Sequence, residues 1–287
     1  MIAHMAEMPK PKRVIVNADD FGFSRGISAG ILRAHRDGIV TSTTVVANMP
    51  AAADDVRLLA QASELGVGVH LNVSQGPPLS PEGRRLADAD GQMRRSAAGV
   101  ILACLRRPGL LSAVEAEFDA QIRWLLDHGI QPTHLDSHRH AHGFPPIFAR
   151  VAKLARRYHI RFVRRMREAL PGRGWPAAPA GQRRVGRLLS LLDPMVAAAG
   201  ADLLATRGTW GVAHTGGIGA GWLMRAAAAV GDGTVEILTH PGLATKADAA
   251  FTRLVQSRQR ELEALCSPAV REAFQASNIE LTHYGRL

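Results

Sequence analysis

Short β-branched runs alternate with longer stretches of helical periodicity along the chain. Arg13-Val-Ile-Val-Asn17 reads as a buried strand that stops at Asp19-Asp20-Phe-Gly22, and a helix is predicted over 24–37. A second strand over 39–48 leads into a helix over 51–65. A third strand, 66–73, carries Gly68-Val-His70-Leu-Asn72. Helical spacing returns over 112–128 and closes at Gly129. The short strand 133–136 then enters Ser137-His138-Arg-His140-Ala-His142. Further on come a helix over 146–158, a strand over 160–163, and an apolar helix within 188–205. A late strand over 235–239 ends in His240-Pro241-Gly242, and a last helix over 247–265 precedes a short C-terminal strand or tail.

Strand–helix alternation of this kind predicts an α/β fold with parallel strands and helical crossovers. The expectation is a (β/α) barrel of six to eight parallel strands, distorted or incomplete, with its active site at the C-terminal strand ends. A doubly wound sheet is the competing arrangement. Residues 1–12 are expected to be a disordered tail, and 13–287 one catalytic domain with insertions near 75–110 and 168–220. Gln75 to Arg107 reads as a loop or lid with short helices, and Pro171 to Ala180 as a loop.

Composition changes this picture little, whereas charge raises a question. At 46% hydrophobic and 21% charged residues the chain is an ordinary globular sequence. Cys104 and Cys266 are too few for a disulfide framework and lack metal-motif spacing. No apolar leader and no twenty-residue apolar run is present, so a cytoplasmic chain without a transmembrane segment is expected. The net charge of +10 would suggest a polyanion partner, yet it belongs to one segment. Between Lys153 and Arg187 stand eleven basic residues and a single acid, Glu168, while the rest of the chain balances at 24 of each sign.

The chemistry is concentrated at strand ends. Asp19-Asp20, His70, His138 and His240 each lie at or near the C-terminal end of a predicted strand, and parallel α/β folds gather those ends on one face. Imidazole with carboxylate suits a divalent first-row metal. The blander readings are specific. Asp19-Asp20 could cap the following helix, His70 could be a core histidine, and His240 could cap a turn. Adjacent carboxylates reach one site only if the chain turns there, which Gly22 would ease. Gly66 and Gly68 would allow close backbone approach to a ligand. His134, Asp136, His138, His140 and His142 form the densest cluster. On an extended run His138, His140 and His142 would share one face, in phase with His134 and Asp136.

Asn17-Ala-Asp19-Asp20-Phe-Gly22, Gly38-Ile-Val-Thr-Ser-Thr-Thr44, Gly68-Val-His70, Pro132-Thr-His134-Leu-Asp136-Ser-His138-Arg-His140-Ala-His142 and Thr239-His240-Pro241 together resemble the YdjC/ChbG-like carbohydrate deacetylases, from about Arg13 to His240. The resemblance implies a (β/α)-barrel that hydrolyses the N-acetyl group of an N-acetylated amino sugar or oligosaccharide such as a chitooligosaccharide. It implies one divalent metal, zinc or magnesium foremost and cobalt or manganese as alternatives, held by Asp20, His70 and His138. Asp19 would be the base and His240 the acid. Asp136, His140, His142 and His134 would bind substrate or support the ligands. Residues 171–220 do not follow the family pattern, which leaves specificity open.

Two other functions compete. A metal-dependent phosphoesterase would need two metals and more carboxylate ligands. An Arg-rich RNA- or membrane-binding protein would use 153–187; an RNA binder of this kind needs interleaved aromatics, and aromatics are only 5% of the chain. The expected partner is therefore an N-acetylated saccharide and not a nucleic acid, with a homodimer left open. A branch of the resembled family is associated with hopanoid biosynthesis, so a lipid-linked substrate also stays open. In that reading the basic segment is a lid that meets an anionic group, and otherwise it is solvated helix face.

Overall fold

In a computed structural model describing residues 11–168 and 170–287, seven parallel strands curl into an incomplete barrel with helices outside. The strands are β1 (Lys12–Phe21), β2 (Ser42–Val45), β3 (Gly66–Leu71), β4 (His134–Ser137), β5 (Phe162–Val163), β6 (Thr209–Trp210) and β7 (Gly233–Thr239). They lie in the order β5-β4-β3-β2-β1-β7-β6. The two outer strands are bridged only thinly. Leu204 N–H donates to Arg161 C=O at 2.8 Å, and Thr209 N–H to Arg167 C=O at 3.0 Å. An eighth strand, β8 (Glu280–Thr282), pairs in parallel with Arg13–Ile15 of β1. It takes the stretch of β1 below the point where pairing with β2 begins, at Asn17.

The helices follow the apolar spacing. α1 (Arg25–Arg36) starts at the Ser24 cap, whose side chain accepts the Ile27 N–H, and buries Ile27, Ile31 and Ala34. α2 (Ala52–Asp55) is short and continues as a 3₁₀ turn, so the helix expected over 51–65 is regular only at its start. α3 (Ala97–Arg106) lies within the expected lid. α4 (Leu110–Asp127) buries Val114, Phe118 and Ile122 against the sheet. It also buries two polar residues that pin the preceding loop. Glu117 accepts the N–H groups of Leu79 and Ser80, and Gln121 joins both backbone groups of Asn72.

α5 (Pro145–Arg157), α6 (Ala180–Ala199), α7 (Ala220–Ala229), α8 (Val255–Leu265) and α9 (Pro268–Ala276) complete the outer layer. The apolar helix expected at 188–205 begins earlier, at Ala180. β6 and α7 carry no clear period in the sequence: two strand residues, or ten helical residues rich in Ala, are too little pattern to read, while α9 repeats its buried Val270 and Phe274 over nine residues only. The stretch near 168–220 thus holds a strand of the barrel, β6, as well as inserted structure. The tail expected over 1–12 falls mostly outside the described residues, and Lys12 already belongs to β1. No helix among the described residues is long and apolar enough to cross a membrane.

Strand alternation sorts the residues of β1 into two environments. Val14, Val16 and Ala18 join the main apolar core between sheet and helices, while Ile15 belongs to a small separate cluster with Phe162 and Tyr284. Above that plug Asn17, Asp19, Asp136, Arg164, Thr209 and Glu236 are all buried and joined by hydrogen bonds. A barrel interior this polar must satisfy itself, because each unpaired group there costs free energy.

Candidate metal and hydrolase site

Asp19 and Asp20 both reach one site because the chain turns at Asp20 itself. Asp20 has φ +74° and Gly22 φ +88°, and the pairing of β1 with β2 shifts register between Ala18 and Phe21. An aspartate tolerates the left-handed region better than most residues. The kink turns consecutive carboxylates toward different partners around one cavity.

Asp20 Oδ1 lies 3.4 Å from His70 Nε2 and 3.2 Å from His138 Nδ1, all three groups being buried or nearly so. The remaining atoms of this trio are mostly committed elsewhere. Asp20 Oδ2 pairs with the Arg258 guanidinium, and His70 Nδ1 meets Asp136 Oδ1 at 2.7 Å. Thr44 Oγ1 stands 3.1 Å from the same imidazole nitrogen and donates to Asp136 Oδ2 at 3.2 Å. One carboxylate oxygen and one imidazole nitrogen therefore face inward with a supporting carboxylate behind, an arrangement suited to a divalent cation. His138 Nε2 is buried with no partner. The donor set fits the cation that the resemblance implies.

Charge points the same way. Among the described residues Asp19, Asp20, Asp136 and Glu236 are buried together with two guanidiniums, Arg164 and Arg258. Counted as ionised, these four carboxylates and two guanidiniums sum to −2, which a divalent cation that displaces any proton on His70 would neutralise. Burial disfavours the charged form of His70, but Asp136, then Asp19, outweigh it and push its pKa up to about 9. A cation at His70 Nε2 would displace that proton.

Arg164 is the hub of the interior. Its guanidinium pairs with Asp19 at 2.8 Å, Asp136 at 2.6 Å and Glu236 at 2.6 Å. Glu236 is further held by Thr209 and by Tyr284 OH at 2.7 Å. Burial opposes ionisation of Asp19, but Arg164 holds its carboxyl well below the usual range. Asp19, His70 and Asp136 also lie close enough to suggest a second cation, yet the guanidinium already bridges those two carboxylates.

His240 is buried at the end of β7, its Nδ1 without a partner. Burial, opposed by Asp19 and Asp20, holds it at about 4. Its backbone N–H donates to Glu261 at 2.7 Å, and burial pushes the Glu261 carboxyl up to about 7.

The histidine cluster is not the extended one-face run expected from its spacing. His138–Gly143 forms a 3₁₀ turn in which Arg139 (φ 53°) and His140 (φ 59°) adopt left-handed backbone. Turning sends the side chains apart. His138 joins Asp20, while His140 is half-buried with a buried, unpartnered Nδ1, and desolvation and then Arg164 suppress its protonation. His142 points away, its ring between Ser137 Oγ (2.6 Å) and Arg164 C=O (3.1 Å), where it fastens the turn. His134 lies a layer lower, stacked on Tyr284 at 4.0 Å. Gly66 and Gly68 do not open the backbone to a ligand, contrary to expectation. A Cβ on Gly68 would lie 2.5 Å from His134, and one on Gly66 2.7 Å from His283, so these glycines make room for imidazoles.

Arg164, Arg258, Glu236 and Glu261 lie outside the motifs that mark the site in the sequence. Arg164 follows Phe162 in strand phase, and Arg258 shares a helical stripe with buried Glu261, Leu262 and Leu265. Either phase could have marked a buried cation.

The family described as YdjC-like protein matches residues 13–276. A carbohydrate deacetylase of Geobacillus stearothermophilus is 32% identical over 96% of this chain and 97% of its own length. A carbohydrate deacetylase of Halalkalibacterium halodurans is 42% identical over 52% of this chain, and that match spans 62% of the relative. Among solved structures, an Enterococcus faecalis V583 protein provisionally assigned to cellobiose-phosphate cleavage superposes with TM-score 0.77 at 26% identity, covering 96% of this chain and 98% of that one.

Proposed function

The chain belongs to the YdjC-like family, and from that membership we propose that it is a metal-dependent deacetylase hydrolysing the N-acetyl group of an N-acetylated amino sugar or oligosaccharide. The observation that carries the reading is the convergence of Asp20, His70 and His138 on one point, with Asp19 beside them and Asp136 behind. Asp20 Oδ1, His70 Nε2 and a nitrogen of His138 would hold the cation, zinc or magnesium by the chemistry of the donors. A divalent ion bound there supplies Lewis-acid polarisation of an acetamide carbonyl and acidifies the attacking water.

The protein groups divide the remaining work. Arg164 grips both oxygens of Asp19, fixing the carboxylate as the base that takes the proton of the attacking water. Its guanidinium keeps that carboxylate ionised at neutral pH. His240 would protonate the departing sugar nitrogen so that acetate leaves. Burial holds the His240 pKa at about 4, so its ring is neutral at rest and would take up the proton that Asp19 removes from the water before passing it to the nitrogen. Asp136 holds His70 in the tautomer that presents Nε2. A two-metal phosphoesterase is disfavoured because the Arg164 guanidinium already bridges Asp19 and Asp136, the carboxylates a second cation would need.

The test is acetate release from N-acetylated oligosaccharides by purified protein with and without chelator, with metal content measured in parallel. Asp19→Asn should retain metal and lose about 10²–10⁴-fold in turnover, whereas His138→Ala should lose the metal. Undiminished acetate release by Asp19→Asn would overturn the assignment.

A further inference from the structure

Besides α5, which follows it directly, the His138–Gly143 turn is packed by α3 and α6. For α6 the packing is tight, since a Cβ on Gly143 would lie 2.4 Å from Leu189. Their outward faces share an unusual composition. On α6, Leu188 (58% exposed), Leu191 (77%) and Met195 (60%) follow one another at i, i+3 and i+7. Exposed arginines 183, 184 and 187 lie among them. On α3, Leu102 and Leu105 are 45% and 60% exposed beside the exposed Arg106.

Single exposed leucines need no explanation, but five large apolar side chains on two helices around one turn do. The charge there is also only thinly opposed: Glu168 lies against Gly186 of α6, but both its oxygens accept the backbone N–H groups of Gly211 and Ala213. α3 contains no acid, and the one acid of α6, Asp193, is buried and paired with Arg165. Among the described residues none of Arg106, Arg183, Arg184 and Arg187 has an ion-pair partner. By contrast Lys153, Arg156 and Arg157, earlier in the same basic stretch, are tied to Glu115, Asp202 and Asp119.

We propose that the exposed faces of α3 and α6 form a docking surface for an anionic lipid bilayer, which the protein meets with the rim of its site. Leucine and methionine would enter the headgroup–acyl boundary while the arginines meet lipid phosphates. The charge pattern selects this occupant. A second copy would bring its own unpaired arginines against these, with no acid on either helix to receive them. Single-stranded RNA would require stacking aromatics, and neither helix has one. The inference is independent of the reaction, since binding is read without substrate.

The experiment is co-sedimentation of the full chain with vesicles of equal parts phosphatidylglycerol and phosphatidylcholine, against phosphatidylcholine alone. We expect at least about tenfold stronger partitioning onto the anionic vesicles, weakening several-fold at high salt. R183Q/R184Q/R187Q should abolish the anionic preference. L188Q/L191Q should lower partitioning about tenfold with the melting temperature unchanged. Should the leucine variant fail to fold, the arginine variant decides. Equal binding to both vesicles, no binding, or wild-type binding by the folded variants overturns the proposal. So does a dimer dissociated by Leu191→Glu, or an RNA complex lost in the arginine variant without any loss of vesicle binding.

Discussion

Arg164 and Arg187 come from the same basic segment and meet opposite fates. Arg164 leaves β5 in strand phase and is wholly buried among Asp19, Asp136 and Glu236. Arg187 sits on the outward face of α6 with no ion-pair partner among the described residues. The first belongs to a network in which each charged group has a buried partner, and the second to a surface whose arginines lack one among the described residues. The contrast teaches that a run of like charge in a sequence is not a functional unit. Period and packing divide it, and only the part left unpaired faces a partner.

The sharpest way to break the comparison is to remove the charge from each region in turn. Arg164→Met would strand three buried carboxylates and should cost about 3–5 kcal/mol in denaturant unfolding. The same neutralisation at Arg187, Arg187→Gln, should stay within about 0.5 kcal/mol. Equal costs would erase the distinction between hub and surface.

A smaller effect tests whether the second buried arginine serves the site or only the fold. Arg258→Met frees Asp20 Oδ2, and metal affinity, measured by competition with a chelator, should fall about 10–100-fold. Thermal unfolding of the metal-free protein provides the comparison. If metal affinity is unchanged while stability drops, Arg258 is structural only.

A further prediction concerns Glu261, which joins α8 to the end of β7. Its carboxyl titrates at about 7 when folded, against an ordinary value of 4.5. Between those values the unfolded chain binds fewer protons, so this group contributes stability that is lost as pH rises. Glu261→Gln should flatten the decline in melting temperature between about pH 5 and 7. A slope as steep as wild type would show that the titrating group lies elsewhere.

The smallest stability effect is expected on the outer face. R183Q/R184Q/R187Q should melt like the parent while losing its preference for anionic vesicles. The interior would thus be read by unfolding, and the surface by partitioning.

How far the site was legible follows the same division. Asp19, Asp20 and His70 could be placed at strand ends because Val-rich runs stop at them, and His138 because it follows the short strand 133–136; the structure brings all four together. His142 and His134 could not be separated from His138 by spacing. Only the left-handed backbone at Arg139 and His140 turns His142 toward Ser137, and only Tyr284, from the far end of the chain, claims His134. β6 was not legible because two residues carry no period, and its place depends on hydrogen bonds to β7 and to the segment after β5.

What the sequence by itself determined was the alternation of strands and helices, and with it which ionisable residues stand at the C-terminal strand ends. Periods of 2 and 3.6 are local properties and survive without a fold. What only the tertiary structure decided was the partner of each charge. Arg164 and Asp19 are 145 residues apart, and Arg258 and Asp20 are 238 apart. Such pairs exist only once the sheet has curled around them, and burial then makes the pairing obligatory.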